Sequence, residues 1–212
     1  MNKEFVQESG KLVYVLSPVR HITEDQRAKI VKHKEFLQKG GFEVFDPLKD
    51  APQDDTTGYN IVMTELNFLH RIALEGGRAD IFWNLGGKPS EGSRVDIGMA
   101  KALGLELNLV NVFNEDEPTG PQAAYRIIKN SEQDIFRLKN MIRKIKRCEE
   151  AVIDWNTDMV GEEEEWQRIR LGLALGLWAK NPKIRIRMGE LTGIDTPEKS
   201  YPKVIKEIEK IV

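Results

Sequence analysis

The sequence predicts an α/β fold, an open parallel sheet with helices on both faces. Three observations predict it. From Lys11 onward, short β-branched or apolar runs alternate with longer amphipathic stretches. The glycine pairs Gly40-Gly41 and Gly76-Gly77 close two of those stretches shortly before the next strand-like run. A strand-like DIFWNL leads through a glycine- and serine-rich turn into a helix, the arrangement that aims backbone N–H groups at an anion or a sugar. Together these describe a Rossmann-like (flavodoxin-like) sheet.

The elements follow in order. LVYVLS, Leu12 to Ser17, is the first strand. Thr23 with Gln26 three residues on reads as a capping box that opens a helix to about Gln38. FEVFDP supplies the second strand, and Asp54 to Thr57 a polar loop. Apolar Ile61, Leu66, Leu69 and Ile72 mark the next helix. The third strand spans Asp80 to Leu85, the helix after it Arg94 to Leu103, and LELNLVNVF is the fourth strand. Acids, Pro and Gly between Asn114 and Gly120 set a boundary, so residues 1–114 form a core and 115–212 an extension.

The extension opens with a basic amphipathic helix, Ser131 to Cys148. VIDWN, Val152 to Asn156, echoes IFWN at Ile81 to Asn84, and RLGLALGL echoes DIGMAKAL, which reads as a degenerate repeat of the strand-turn-helix unit. Arg170 then takes the place of Asp96. A strand KIRIRM and a helix from Tyr201 to Ile211 finish the chain, and this half is expected to continue the same sheet. The run Glu162 to Glu165 reads as a solvated helix start.

Composition narrows the function classes. The 212 residues carry 32 Lys and Arg against 34 Asp and Glu, a net charge of -2, which offers no electrostatic footprint for nucleic acid or an acidic membrane. A single cysteine excludes an internal disulfide and a cysteine-based zinc cluster, and no apolar run reaches the roughly 20 residues that cross a bilayer. A cytoplasmic protein is expected. His21, His33 and His70 lack metal-ligand spacing, so neither metal nor other cofactor is expected.

Ligands of open parallel sheets gather beyond the carboxyl ends of the strands. Three segments meet there: Ser17 to Arg20, the loop after Asp46, and Asn84 to Ser93. The last offers the hydroxyls of Ser90 and Ser93, a close approach at Gly92, and Asp96 about one turn into the helix. By themselves these residues support an anion- or ribose-binding site, and Asp96 reads equally as an acid that complements the helix dipole. Asp80, opening a strand, reads as structural.

The strings YVLSPVRHITED, Tyr14 to Asp25, and SEGSRVDIGMAKALG, Ser90 to Gly104, resemble the nucleoside 2-deoxyribosyltransferase superfamily, and within it the nucleoside 5'-monophosphate N-glycosidases. Ser90, Gly92, Asp96, Gly98 and Ala100 stand at the spacing of the family pattern S-x-G-x-x-x-E-x-G-x-A, with Asp in place of its Glu. The likeness covers about the first half of the chain.

The resemblance implies hydrolysis or transfer at the N-glycosidic bond of a small-molecule nucleoside or nucleotide, with Asp96 as the nucleophile at the anomeric carbon. It aligns Glu65, in ELNFL, with the family's second acid, so the two acids are exchanged in length, and it sets Tyr14 beside the nucleophile. Glu65 reads otherwise as a helix-surface acid and Tyr14 as core. Ser17, Arg20, Ser90 and Ser93 suit a 5'-phosphate, Arg20 foremost, while Asn84 and Trp83 would line a base pocket. Family sites are often completed across a subunit contact, which leaves a homo-oligomer open. A nucleotide sensor without turnover and an NAD glycohydrolase are the alternatives.

Overall fold

Strand β1, Leu12–Leu16, is buried along its whole length, as a central strand covered on both faces must be. The computed structural model in which it lies describes residues 12–18, 22–52, 55, 58–84, 91–113, 127–128, 132–156, 158–159, 161–193 and 201–210. β1 pairs in parallel with β2 (Glu43–Phe45) on one side and β3 (Arg78–Asn84) on the other, and β3 pairs in parallel with β4 (Glu106–Phe113). The order β2-β1-β3-β4 is that of an open, doubly wound sheet, with its topological switch between β1 and β3.

Alternation along β1 builds two cores. Val13 and Val15 point with Phe82 and Phe113 toward Ile30 and Leu37 of α1 (Glu24–Lys39). Leu12, Tyr14 and Leu16 point the other way, with Ile81 and Trp83, toward α3 (Tyr59–Glu75) and α4 (Glu91–Leu103). The capping box of α1 is formed: Gln26 N donates to Thr23 Oγ1 at 3.2 Å and Thr23 N to Gln26 Oε1 at 3.0 Å. A short α2 (Pro47–Asp50) follows β2. Gly76, in the left-handed region at φ 76°, ends α3 by donating its N–H to Ile72 O and turns the chain into β3.

The second half departs from expectation. Among the described residues β5 (Glu150–Asn156) and β6 (Arg185–Thr192) pair with each other in a separate parallel sheet and do not extend the first one. The reason is helix packing. Helix α6 (Glu162–Lys180) carries Gly172 and Gly176, and these seat its backbone directly on α4. A Cβ on Gly98 would run into Ile169 O, one on Gly172 into Val95 O, and one on Gly176 would lie 2.7 Å from Met99 O. With α4 sandwiched between the first sheet and α6, the strands flanking α6 lie beyond the helices. Helix α5 (Glu132–Cys148) covers β5, and α7 (Tyr201–Glu209) packs on β6 and α3. No helix among the described residues is long and apolar enough to cross a membrane.

Gly172→Val is expected to drive side-chain atoms into the α4 backbone at a cost of about 3 kcal/mol, lowering Tm by roughly 2–4 °C per kcal/mol for a chain of this size. Gly92→Ala, whose Cβ would meet nothing nearer than Tyr201 Oη at 3.9 Å, is expected to shift stability by about 1 kcal/mol or less. Scanning calorimetry of the two variants checks both.

Candidate active site

Beneath the carboxyl edge of the first sheet, on the α3–α4 side, three polar side chains meet inside the apolar core. Tyr14 is fully buried in mid-β1, its ring stacked on Phe45 at 5.2 Å, and Phe45 stacks in turn on Phe68 at 4.5 Å. That stack aims the phenol at α4, where Tyr14 Oη donates to Asp96 Oδ2 at 3.2 Å. Glu65 reaches the same carboxyl from α3. It stands on the buried stripe of that helix, with Val62, Leu66, Leu69 and Ile72, and is 7% exposed. The two carboxyls act on each other, their hydrogen-bond interaction lowering the proton affinity of Asp96 and raising that of Glu65.

Burial sets the charge state of this trio. Loss of solvent pushes Asp96 up to about 7, against hydrogen bonds from Tyr14 and Glu65 that pull it down. Burial first, and then the neighbouring Asp96, raise Glu65 well above the usual carboxylate range. Tyr14 is raised by burial, then by the charges of Asp96 and Glu65. Two neighbouring carboxyls in a dry site cannot both ionise cheaply, so at least one of the pair keeps its proton near neutral pH. Asp96 Oδ1 is buried and has no hydrogen-bond partner among the described residues, an arrangement that costs about 1–3 kcal/mol.

Around the trio, Ser93 is buried in the first turn of α4 and Gly92 precedes it, partly exposed. Ser17 follows β1, 8% exposed, and lines a cavity of about 440 Å³ together with Pro18, Ile22, Lys34, Val44 and Asp46. Tyr14, Glu65 and Asp96 do not line that cavity. Lys34 Nζ and Asp46 Oδ1 pair in its wall at 2.7 Å, and the charge of Asp46 also raises Tyr14. Arg20 and Ser90 lie outside the described residues, as does the side chain of Asn84. Trp83 is 1% exposed, and its Nε1 is buried without a hydrogen-bond partner among the described residues.

Glu65 and Asp96 therefore lie in contact, Tyr14 touches Asp96, and Glu65 is no surface acid. Asp80 is structural in the sense expected. It is fully buried on the α1 side of β3 and accepts from Arg78 Nε at 2.7 Å, His33 Nε2 at 2.9 Å and Asn108 Nδ2 at 3.0 Å. Burial alone would raise it, but the hydrogen bonds from Arg78, Asn108 and His33 outweigh burial and leave it lowered.

Three neighbours escape a reading of sequence motifs. Arg94, 2% exposed, lies 4.3 Å over the Trp83 ring and donates to Glu165 Oε1 of α6 at 3.0 Å. Tyr201 of α7 brings its hydroxyl to Gly92. Nothing in the local sequence of Glu165 or Tyr201 marks them, because both reach α4 from the far half of the chain. Comparison of the chain with protein-family models, with curated proteins and with solved structures finds no match.

The charge state has a thermodynamic consequence with a definite sign. The folded chain keeps a proton on Asp96 to about pH 7 that the unfolded chain releases near 3.8. Folded protein binds more protons across that window, so this group makes stability fall as pH rises from about 4 to about 7, by at most about 1.4 kcal/mol per pH unit. Asp96→Asn is expected to reduce the slope, the remainder coming from Glu65, whose burial raises it in the same direction, and to be more stable than the wild type at pH 8. Urea unfolding at pH 5 and pH 8 measures it.

Proposed function

We propose that this chain cleaves or exchanges the N-glycosidic bond of a nucleoside or nucleoside 5'-monophosphate, with Asp96 as nucleophile. The observation that carries the reading is the buried contact of Asp96 with Glu65 and Tyr14. It supports the resemblance to the nucleoside 2-deoxyribosyltransferase superfamily because the three positions that the resemblance aligns with catalytic residues come together from three separate elements.

In this reading Tyr14 occupies Asp96 Oδ2, fixes the rotation of the carboxyl and leaves Oδ1 to attack C1'. Glu65 holds the proton. Once Asp96 is ionised, Oδ1 forms a bond to C1' as the bond from C1' to the base nitrogen breaks, and the Glu65 proton goes to the departing base. Water or a second base then attacks C1', displaces Asp96 and returns a proton to Glu65. The division matches the general rule that paired acids with separated affinities take separate roles. Ser17, Arg20, Ser90, Gly92 and Ser93 are the residues that would hold the sugar and 5'-phosphate, and Asn84 the base.

The chemistry needs Asp96 ionised and Glu65 protonated, so kcat/KM is expected to rise with pH through about 7 and to fall again as Glu65 ionises. A second reading, a nucleotide sensor without turnover, is favoured by one observation: with its affinity near 7, Asp96 is protonated in much of the protein at neutral pH.

A base-release screen over ribo- and deoxyribonucleosides, their 5'-monophosphates and NAD decides among the readings. Free base from a nucleoside or its monophosphate, reduced at least about 1000-fold in Asp96→Ala and about 10-fold in Tyr14→Phe, is the expected result. Nicotinamide released from NAD alone would move the substrate to that dinucleotide. Tight retention of a nucleotide with no cleavage would make the protein a sensor, and folded protein that neither binds nor cleaves any of them would end the proposal.

A further inference from the structure

The two halves of the chain match beyond the strand-turn-helix echo. Helices α3 and α5 are each 17 residues long. Each leads within a few residues to a seven-residue strand, β3 or β5, then to α4 or α6, then to an eight-residue strand paired in parallel, β4 or β6. Both strand pairs carry a register shift directly after the matched isoleucine, Ile81 in one and Ile153 in the other. In the central helices Glu91, Arg94, Gly98 and Ala100 match Glu165, Arg168, Gly172 and Ala174 at one constant offset.

The contact between the helices is reciprocal under the same offset. Gly98 is met by Ile169, and Gly172 by Val95, the counterpart of Ile169. Gly98 faces its own counterpart Gly172, and Ala102 its counterpart Gly176. Contacts run in step along both helices, from Arg94–Glu165 at one end to Lys180 Nζ donating to Ala102 O at 3.0 Å at the other. The helices are therefore parallel about a local two-fold axis. A self-complementary patch of that kind is the geometry of an isologous contact between two copies of one fold.

The second copy lacks the acids. Arg170 stands in the place of Asp96 and donates to Val152 O at 2.6 Å. The seventh residue of α5 is buried Leu138, where α3 has Glu65. What the second half does bring is a rim. The parallel arrangement sets the starts of α4 and α6 side by side, Trp155 at the end of β5 packs on Tyr201 at 5.5 Å, and Tyr201 carries its hydroxyl to Gly92 in the first turn of α4.

We propose that residues 132–192 are a degenerate second copy of residues 59–113, docked where a second subunit would sit, and that Tyr201 behind it completes the acid-pair site. One chain then carries one site and needs no partner, and the Tyr201 hydroxyl meets a sugar or phosphate oxygen of the substrate at the start of α4. The Tyr201 assignment rests on the glycosidic reading, and the duplication does not.

Two measurements on the full chain test the two parts separately. Sedimentation at micromolar concentration is expected to give a single species of 24.3 kDa, and an obligate dimer would overturn the subunit-replacing role. Tyr201→Phe, which keeps the ring on Trp155, is expected to raise KM for the best monophosphate of the base-release screen about 10-fold with kcat within 2-fold and Tm unchanged. An unchanged KM would remove Tyr201 from the site. If the wild type turns over no substrate at all, the glycosidic reading and the Tyr201 assignment fall together, while the sedimentation result still decides the role of the second copy.

Discussion

Backbone contact between α4 and α6 at Gly98 and Gly172 closes the side of α4 that a helix on an open sheet ordinarily shows to water. Residues 93–100 are all buried as a result. A carboxylate on such a helix cannot swing into solvent, and Asp96 must take its partners from the core. Among the described residues β1 and α3 supply them, as Tyr14 and Glu65. The charge state of the trio, the lone Oδ1 and the chemistry proposed for them follow from that one closure.

Two buried aspartates on opposite faces of one sheet show how partners decide what burial does. Asp80 and Asp96 are both nine-tenths or more buried. Asp80 receives hydrogen bonds from a guanidinium, an imidazole and an amide and ionises more readily than usual. Asp96 faces a phenol and another acid and ionises less readily. The first arrangement fastens α1 to the sheet through His33. The second disfavours the charged form, so Asp96 keeps its proton to higher pH than an exposed carboxyl does.

Much of this fold was legible in the chain itself. Local signals suffice for α1, whose capping residues bond as their spacing predicts, and for the four parallel strands, which lie on the apolar and β-branched runs. The buried position of Glu65 was also within reach: it shares a helical face with Val62, Leu69 and Ile72, and an acid on an apolar stripe is buried or bound. The separate second sheet was not legible, because it depends on α6 meeting α4 along small residues, and glycines do not announce which surface they admit. Glu165 and Tyr201 were hidden for a related reason, since their significance lies wholly in contacts across the chain. Arg20 and Ser90, expected at the phosphate, fall outside the described residues.

Because α4 and α6 run parallel, their positive ends lie together rather than cancelling. Such juxtaposition needs countercharge, and Glu163 to Glu165 stand in the first turn of α6, with Glu165 reaching across to Arg94. What reads along the chain as a hydrophilic cluster is, in three dimensions, an electrostatic clasp. It ties the sign of the charge at one helix start to the stability of the other, so a change at Glu165 is felt at the first turn of α4.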